Sequence, residues 1–271
     1  MTIAIGLLCS DGVVLASDTE ETWANLTKRN IQKIHAFAFG QELTCAIAAA
    51  TSNVDLMRMF AADVDDKLSA GMDAGGPVNI AEIAEQGAKK LFDTNILPFA
   101  TFPIDQRPQY ESLIGYFNRN SFGLYKVGLP QTLVEICERQ TGSLHAAIGI
   151  GSMIADSTLD RFHTEKMTVG ATADLAVYIL RHVKEVVQDC GGYTHVILQT
   201  NNGLIEHLDA RYVDALEKWY VAYDEVVGEM LRIGISESFG EAAHKTHSYL
   251  LQMERQKPQQ QRMTHLSQCG H

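Results

Sequence analysis

The sequence predicts an α+β fold in which two antiparallel sheets lie between layers of helix, a four-layer α-β-β-α sandwich. Strand-like and helix-like segments come in blocks and not in strict alternation, so βαβ crossovers and a parallel sheet are not expected. The strand-like segments are apolar nearly throughout, as in Ile3-Ala4-Ile5-Gly6-Leu7-Leu8, which points to cover on both faces. No repeat at a solenoid period is present.

The N-terminal elements come first. Ile3 to Cys9 and Val13 to Ser17 are apolar runs parted by Ser10-Asp11-Gly12, a turn signal. A second strand pair spans Gln32–Phe39 and Leu43–Ala49, joined through Gly40. Val54, Met57, Phe60, Ala61, Val64 and Leu68 then recur three or four apart, with Thr51, Ser52 and Asn53 as candidate N-caps. Gly71 to Pro77 breaks that helix, and Asn79 with Glu82 caps another whose apolar face holds Ile80, Ile83, Ala84, Gly87 and Leu91. Three prolines mark Leu97 to Tyr110 as a loop. Strands return at Leu113–Phe117, Phe122–Val127, Leu133–Cys137 and Leu144–Ile148, then helices near Met153–His163 and Ala171–Gln188. Strands Thr194–Thr200 and Leu204–Leu208 precede a long helix from Ala210 to about Leu231. A domain over 1–235 and an extension over 236–271, helix then polar tail, are expected.

Composition narrows the function classes. The chain has 271 residues, enough for one large domain. A net charge of −11, from 22 basic and 33 acidic residues, argues against nucleic acid and against an anionic membrane surface. No apolar stretch approaches a membrane span. The N-terminus lacks the basic region of a signal peptide. Five scattered cysteines form no C-x-x-C pair, so neither a disulfide framework nor a zinc site is expected, and a reducing cytoplasm is the simplest location.

The N-terminus carries the sharpest chemical signal. Removal of Met1 leaves Thr2 with a free α-amine beside its own hydroxyl, a nucleophile and its general base in one residue. Ser10-Asp11-Gly12-Val13-Val14-Leu15-Ala16-Ser17-Asp18 resembles the start of a proteasome β-subunit. Asn30-Ile31-Gln32-Lys33-Ile34 is similar to that family's lysine-bearing strand, and Ala46 to Thr51 to the turn of its oxyanion hole. Ala147-Ile148-Gly149-Ile150-Gly151-Ser152 resembles its second glycine-rich strand-to-helix turn, and Gly191-Gly192 before Thr194–Thr200 its last signature. The ordered set spans about residues 2 to 232. Bacterial double-ring peptidases are the nearest kin on this pattern.

The resemblance implies an N-terminal-nucleophile hydrolase fold, a homo-oligomeric double ring and threonine-type cleavage of unfolded protein or peptide substrates. It also implies an ATP-dependent unfoldase as partner, and no cofactor. Thr2 is then the nucleophile, Lys33 the cation beside it, and Asp18 the carboxylate that directs Lys33. Ala48 replaces a customary glycine and supplies a backbone N–H to the oxyanion. Ile31, Ala46, Ala50 and Val54 surround the substrate side chain, with small alanines leaving a roomy apolar pocket.

Two departures stand out. Ile150 occupies the place of a serine that holds the nucleophile's amine, leaving Ser152 as the hydroxyl of that turn. Val187 and Cys190 occupy the places of an aspartate and a serine, leaving Asp189 as the substitute acid. These changes make an inactive ring-forming or chaperone-like subunit the leading alternative. An amidase acting on a small molecule, by the same N-terminal nucleophile, is the third.

Other motifs carry less. His244 and His247 are three apart, a spacing more often found on a solvated helix face than at a metal, so no metal site is expected. His163 and His182 read as core or interface histidines. Cys190 has no histidine partner legible in sequence. Gly149-Ile150-Gly151 lacks the remainder of a dinucleotide fingerprint. Lys257 to Arg262 reads as a polar tail.

Overall fold

A tight hairpin opens the chain. β1 (Ile3–Cys9) and β2 (Gly12–Asp18) pair antiparallel, with Ala4 opposite Ser17 and Cys9 opposite Gly12. The computed structural model describes residues 2–23, 27–103, 106–119, 121–128, 133–137, 143–236, 248–249 and 251–258. His244, His247 and residues 259–262 of the tail lie outside them. Asp11 of the hairpin turn accepts the Val169 N–H at 2.8 Å, and the Ser10 N–H donates to the Met167 carbonyl at 2.8 Å. The turn is thereby tied to a helix start more than 150 residues away.

After the hairpin come β3 (Glu20–Trp23), β4 (Thr27–Asn30), β5 (Ile34–Phe39) and β6 (Leu43–Thr51). The chain continues through α1 (Val54–Asp73), α2 (Ile80–Leu91), β7 (Tyr110–Asn118), β8 (Ser121–Gly128), β9 (Leu133–Cys137) and β10 (His145–Gly149). The order ends with α3 (Ser152–Phe162), α4 (Val169–Val186), β11 (Thr194–Thr200), β12 (Ile205–His207) and α5 (Ala210–Ser236). One five-stranded sheet runs β10-β1-β2-β11-β12 and another β5-β6-β7-β8-β9. Among the described residues, the strand pairings within them are all antiparallel, as the block order of the sequence requires.

Strand residues of β6 divide by parity. Ala46, Ala48 and Ala50 join Ala4, Leu15, Leu113 and Ile148 in a core between the sheets. Cys45, Ile47 and Ala49 pack with Met57, Phe60, Val64 and Leu68 of α1. Both faces of the strand are therefore dry, which accounts for the unbroken apolar run. Helices α1 and α2 contact the second sheet, and α3 and α4 contact the first.

Local chemistry sets the helix ends. Asn53 is the N-cap of α1, its side chain accepting the Asp55 N–H at 2.9 Å, and Asn79 accepts the Glu82 N–H at 3.3 Å to cap α2. Gly75, at φ +67°, ends α1 in the left-handed conformation that glycine tolerates.

The structure departs from the sequence expectation in two places. Glu20–Trp23 and Thr27–Asn30 pair as a separate two-stranded sheet, β3–β4, held by Lys28–Glu20 at 2.7 Å and by an Arg29–Glu21 ion pair. It has no apolar alternation and gives no hydrophobic signal. Phe92–Ile96, given no element by the sequence, forms a π-turn, and the expected loop from Leu97 to Tyr110 begins with a 3-10 turn over Leu97–Phe99. Pro98 sits in the first turn of the latter, where a missing N–H leaves no bond unmade. The chain divides into one compact unit that runs up to Leu208 and a second that begins at Asp209. Within that second unit the Trp219 indole N–H donates to the Met253 carbonyl at 3.0 Å.

Buried histidines make the fold acid-sensitive. His195 and His207 stack with ring centroids 5.0 Å apart and ring nitrogens at 2.8 Å. Burial, then the charges of His207 and His35, push His195 down to about 4, and burial with His145 does the same to His163. Both folded values lie below the ordinary value of about 6.5. The unfolded chain then binds protons that the folded one refuses. Stability is complete above about pH 6.5 and declines as pH falls towards about 4, with a slope of at most about 1.4 kcal/mol per pH unit per histidine. Thermal melts between pH 7.5 and 4.5 are expected to show this decline, and His195→Gln to flatten it.

Candidate functional site

Thr2 enters β1 where the end of β2 and the start of β5 converge. Its hydroxyl donates to Asp18 Oδ1, and the Lys33 ammonium donates to the Thr2 hydroxyl oxygen. Lys33 Nζ also donates to Asp18 Oδ1 at 2.8 Å and to the Glu20 carbonyl. An ammonium has three donors, and here each has an oxygen. Thr2 is 3% exposed, Asp18 0% and Lys33 4%, so these bonds operate in a medium of low dielectric. Asp18 Oδ1 also accepts the Ile3 N–H at 3.2 Å, and Oδ2 accepts the Gly191 N–H at 3.2 Å.

Burial draws the Lys33 ammonium below its ordinary range, and the Asp18 carboxylate opposes that shift. Cys190 is buried beside the same pair. Burial, then the Asp18 charge, pushes its thiol up to about 12. It is a neutral thiol at neutral pH and a poor nucleophile.

Two glycine-rich turns frame Thr2. Gly149, at φ +90°, closes β10 and lets the Ile150 N–H donate to the Thr2 carbonyl at 3.1 Å. A Cβ on Gly149 would lie 1.9 Å from that carbonyl oxygen. The Gly149 N–H donates to Glu111 Oε2 at 3.0 Å. Ile150 itself is 42% exposed and brings no hydroxyl to Thr2.

Several expected site residues are placed elsewhere. The Ala49 N–H donates to the Lys33 carbonyl at 3.2 Å. Alternation along the pleat turns the Ala48 N–H the other way, towards Leu113 of β7. Ala48 is thus used by the sheet and does not face Thr2. The Thr51 N–H emerges on the same edge as that of Ala49, where β5 has ended, and Thr51 borders Thr2. Ser152 begins α3 and Asp189 lies in the turn after α4. Neither bonds to Thr2, Asp18 or Lys33 among the described residues. The backbone of Gly191 contacts Asp18 in their stead.

The surroundings of Thr2 are also rearranged relative to expectation. Ile31 and Val54 line a narrow recess of about 20 Å³ with Lys33, Ala49 and Met57, and Glu20 and Glu21 border it. It is too small for a bulky side chain. Ala46 is fully buried between the sheets, opposite Ala36 and Gly115, and lines neither this recess nor the larger cleft beside Thr2. Ala50 borders a second and much larger cleft of about 530 Å³ that also opens at Thr2. Phe92, Ile96, Leu97 and Ala100 form its apolar wall, with Arg107, Tyr110 and Glu111 beside them. Sequence reasoning missed Glu20 and Glu111, and it singled out Gly191 only as part of a turn signature, without its contact to Asp18. Glu111 had a legible signal, an acid near the start of an otherwise apolar strand.

Comparison with known proteins places this geometry. No family model matches the chain. It is 27% identical over 178 residues to proteasome subunit beta 2 of Pyrococcus abyssi (strain GE5 / Orsay), covering 65% of this chain and 75% of that one. The fold is shared with an Anbu (Gly-1) mutant from Hyphomicrobium sp. strain MC1, at a TM-score of 0.67 and 14% identity over 85% of this chain and 99% of that one. Anbu (ancestral beta-subunit) from Yersinia bercovieri gives 0.67 and 14% over 83% and 96%. A chain of the helical assembly of the Anbu complex from Pseudomonas aeruginosa gives 0.66 and 15% over 85% and 95%. The chain is thus similar to a proteasome β-subunit in sequence and to Anbu chains in fold.

The Gly149 turn yields a direct test. Gly149→Ala is expected to destabilise by more than about 1 kcal/mol, because the new methyl meets the Thr2 carbonyl and φ is positive. Gly76→Ala, with open space around it, is expected to stay within about 0.5 kcal/mol of the parent. Urea denaturation of the two variants measures the difference.

Proposed function

We propose that this chain is a threonine-type peptidase subunit whose nucleophile is Thr2 after removal of Met1. The observation that carries the reading is the buried trio in which the Lys33 ammonium and the Asp18 carboxylate both bond to the Thr2 hydroxyl. The freed α-amine takes the hydroxyl proton as Oγ1 attacks a peptide carbonyl, and returns it to the departing amine. Water then hydrolyses the resulting ester. The Lys33 cation disfavours protonation of the neighbouring amine and so keeps it in the unprotonated form that can accept the hydroxyl proton. In this scheme the Thr51 N–H, not that of Ala48, donates to the developing oxyanion.

The wider reading is a homo-oligomeric double ring in the cytoplasm that degrades unfolded protein delivered by a separate ATP-driven unfoldase. Similarity to an archaeal proteasome subunit and the Anbu-like fold support it. Helices on the outer face of each sheet support the four-layer sandwich. A second reading, an inactive ring-forming subunit, is favoured by Ile150, which gives the Thr2 amine no hydroxyl partner.

Intact-mass measurement tests the first reading. Loss of Met1, and addition of one β-lactone or epoxyketone probe per chain, are the expected results. Thr2→Ala is expected to abolish the adduct and to lower peptide turnover by at least about 10³-fold. Lys33→Met is expected to lower turnover by about 10²-fold or more and also to destabilise the fold, because it leaves the buried Asp18 carboxylate without its cation. Full turnover in Thr2→Ala overturns the assignment.

A further inference from the structure

The large cleft beside Thr2 has a chemistry that peptide cleavage alone does not require. Its wall comes from the π and 3-10 turns after α2, which present Phe92, Ile96 and Leu97. At about 530 Å³ it falls within the about 300–1,000 Å³ of sites that enclose a small ligand. Arg107 lines it as well. Its Nε donates to the Phe102 carbonyl at 2.8 Å, which pins the side chain along the wall. The rest of the guanidinium has no carboxylate partner among the described residues, although it is half-buried. The acid of the cleft, Glu111, is instead engaged by the Gly149 N–H.

We propose that this cleft binds an apolar peptide segment bearing a carboxylate, with Arg107 as the residue that recognises the carboxylate. The inference rests on the reading of Thr2 as nucleophile only in taking the occupant to be substrate or product. A guanidinium matches a carboxylate with two parallel N–H bonds, and a partly dry cleft strengthens them. The Glu111 charge repels a carboxylate from its own position in the cleft and so favours the Arg107 position. Phe92, Ile96 and Leu97 give the adjoining side chains an apolar surface. The carboxylate has two sources, the C-terminus of a short peptide or a Glu side chain within a longer one. The first makes the site one that receives short, trimmed peptides.

Equilibrium binding separates these sources. Three fluorescein-labelled tripeptides serve as probes: Ala-Leu-Phe as the free acid, Ala-Leu-Phe as the C-terminal amide, and Ala-Leu-Glu as the C-terminal amide. Fluorescence polarisation is read on the Thr2→Ala chain, which cannot turn them over, and on the parent. The free acid is expected to bind about tenfold more tightly than its amide, a difference of about 1.4 kcal/mol. Arg107→Ala is expected to bring that ratio within twofold while binding of the amide is unchanged, and Arg107→Lys to retain part of it. Tight binding of the Glu-containing amide assigns the carboxylate to a side chain and supports the site equally. Binding of the Phe amide to the parent as tight as that of both carboxylate-bearing peptides, or a preference for carboxylate that survives Arg107→Ala, overturns the proposal. Those failures leave probe addition at Thr2 untouched, and loss of probe addition leaves the binding ratio untouched.

Discussion

A buried ion pair organises this molecule. Asp18 and Lys33 are nearly inaccessible, and charges removed from water cost several kcal/mol each unless partners replace the solvent. Here the partners come from several places in the chain. Thr2, Ile3 and Gly191 donate to Asp18, Glu20 accepts from Lys33, and the two charges meet at 2.8 Å. Loss of one member of such a pair leaves the other charged and unpaired, which is far costlier than the pair's own net value. The N-terminus, the end of β2, the β3 strand and the turn before β11 are therefore obliged to meet at one point. The site and the fold share this constraint, because the β1–β2 pairing of the first sheet sets Thr2 against Asp18 and Lys33 reaches both from the start of β5 in the second sheet.

Much of this is legible in the sequence, and the illegible part has a common cause. Elements with two dry faces, such as β1, β6 and β11, stand out as apolar runs, and their boundaries agree with the structure to within two residues. The β3–β4 pair is held by cross-strand charges and so has no hydrophobic pattern to read. The segment after α2 contains three prolines, and proline signals an end to regular helix without specifying the conformation of the residues beyond it. Thr2, Asp18 and Lys33 are each legible as side chains, and side-chain hydrogen bonds bring them together. The groups that escape sequence reasoning act mostly through their backbones: the Glu20 carbonyl, the Gly191 N–H and the Thr51 N–H. A backbone group has no residue identity, so its position depends on register, and register comes from tertiary pairing.

The misplacement of Ala48 shows how sharp that dependence is. Successive N–H groups along a strand point to opposite edges, so a shift of one residue exchanges a ladder donor for a free one. Ala48 faces β7 and Ala49 faces Lys33, whereas Thr51 faces the edge that β5 no longer covers. The same parity separates Ala46, sealed between the sheets, from Ala49 in the recess beside Thr2. A pocket assigned from sequence offsets alone inherits this ambiguity at every position.

Replacement of side-chain partners by backbone partners also bears on what Ile150 and Val187 mean. A hydroxyl that holds an amine can be lost without loss of the nucleophile when other contacts fix the same atom group. Thr2 is fixed on its carbonyl by the Ile150 N–H and on its hydroxyl by Asp18 and Lys33. Gly149 makes the first contact geometrically permissible, since any larger residue would collide with the Thr2 carbonyl. In the proposed reaction the α-amine freed by loss of Met1, by contrast, gains no hydroxyl partner from Ile150. Its basicity then depends chiefly on charge, with Lys33 depressing it and Asp18 raising it. For the proposed peptidase, a nucleophile with fixed geometry and an electrostatically tuned base is a workable design without the serine, because orientation and proton affinity are supplied by different residues.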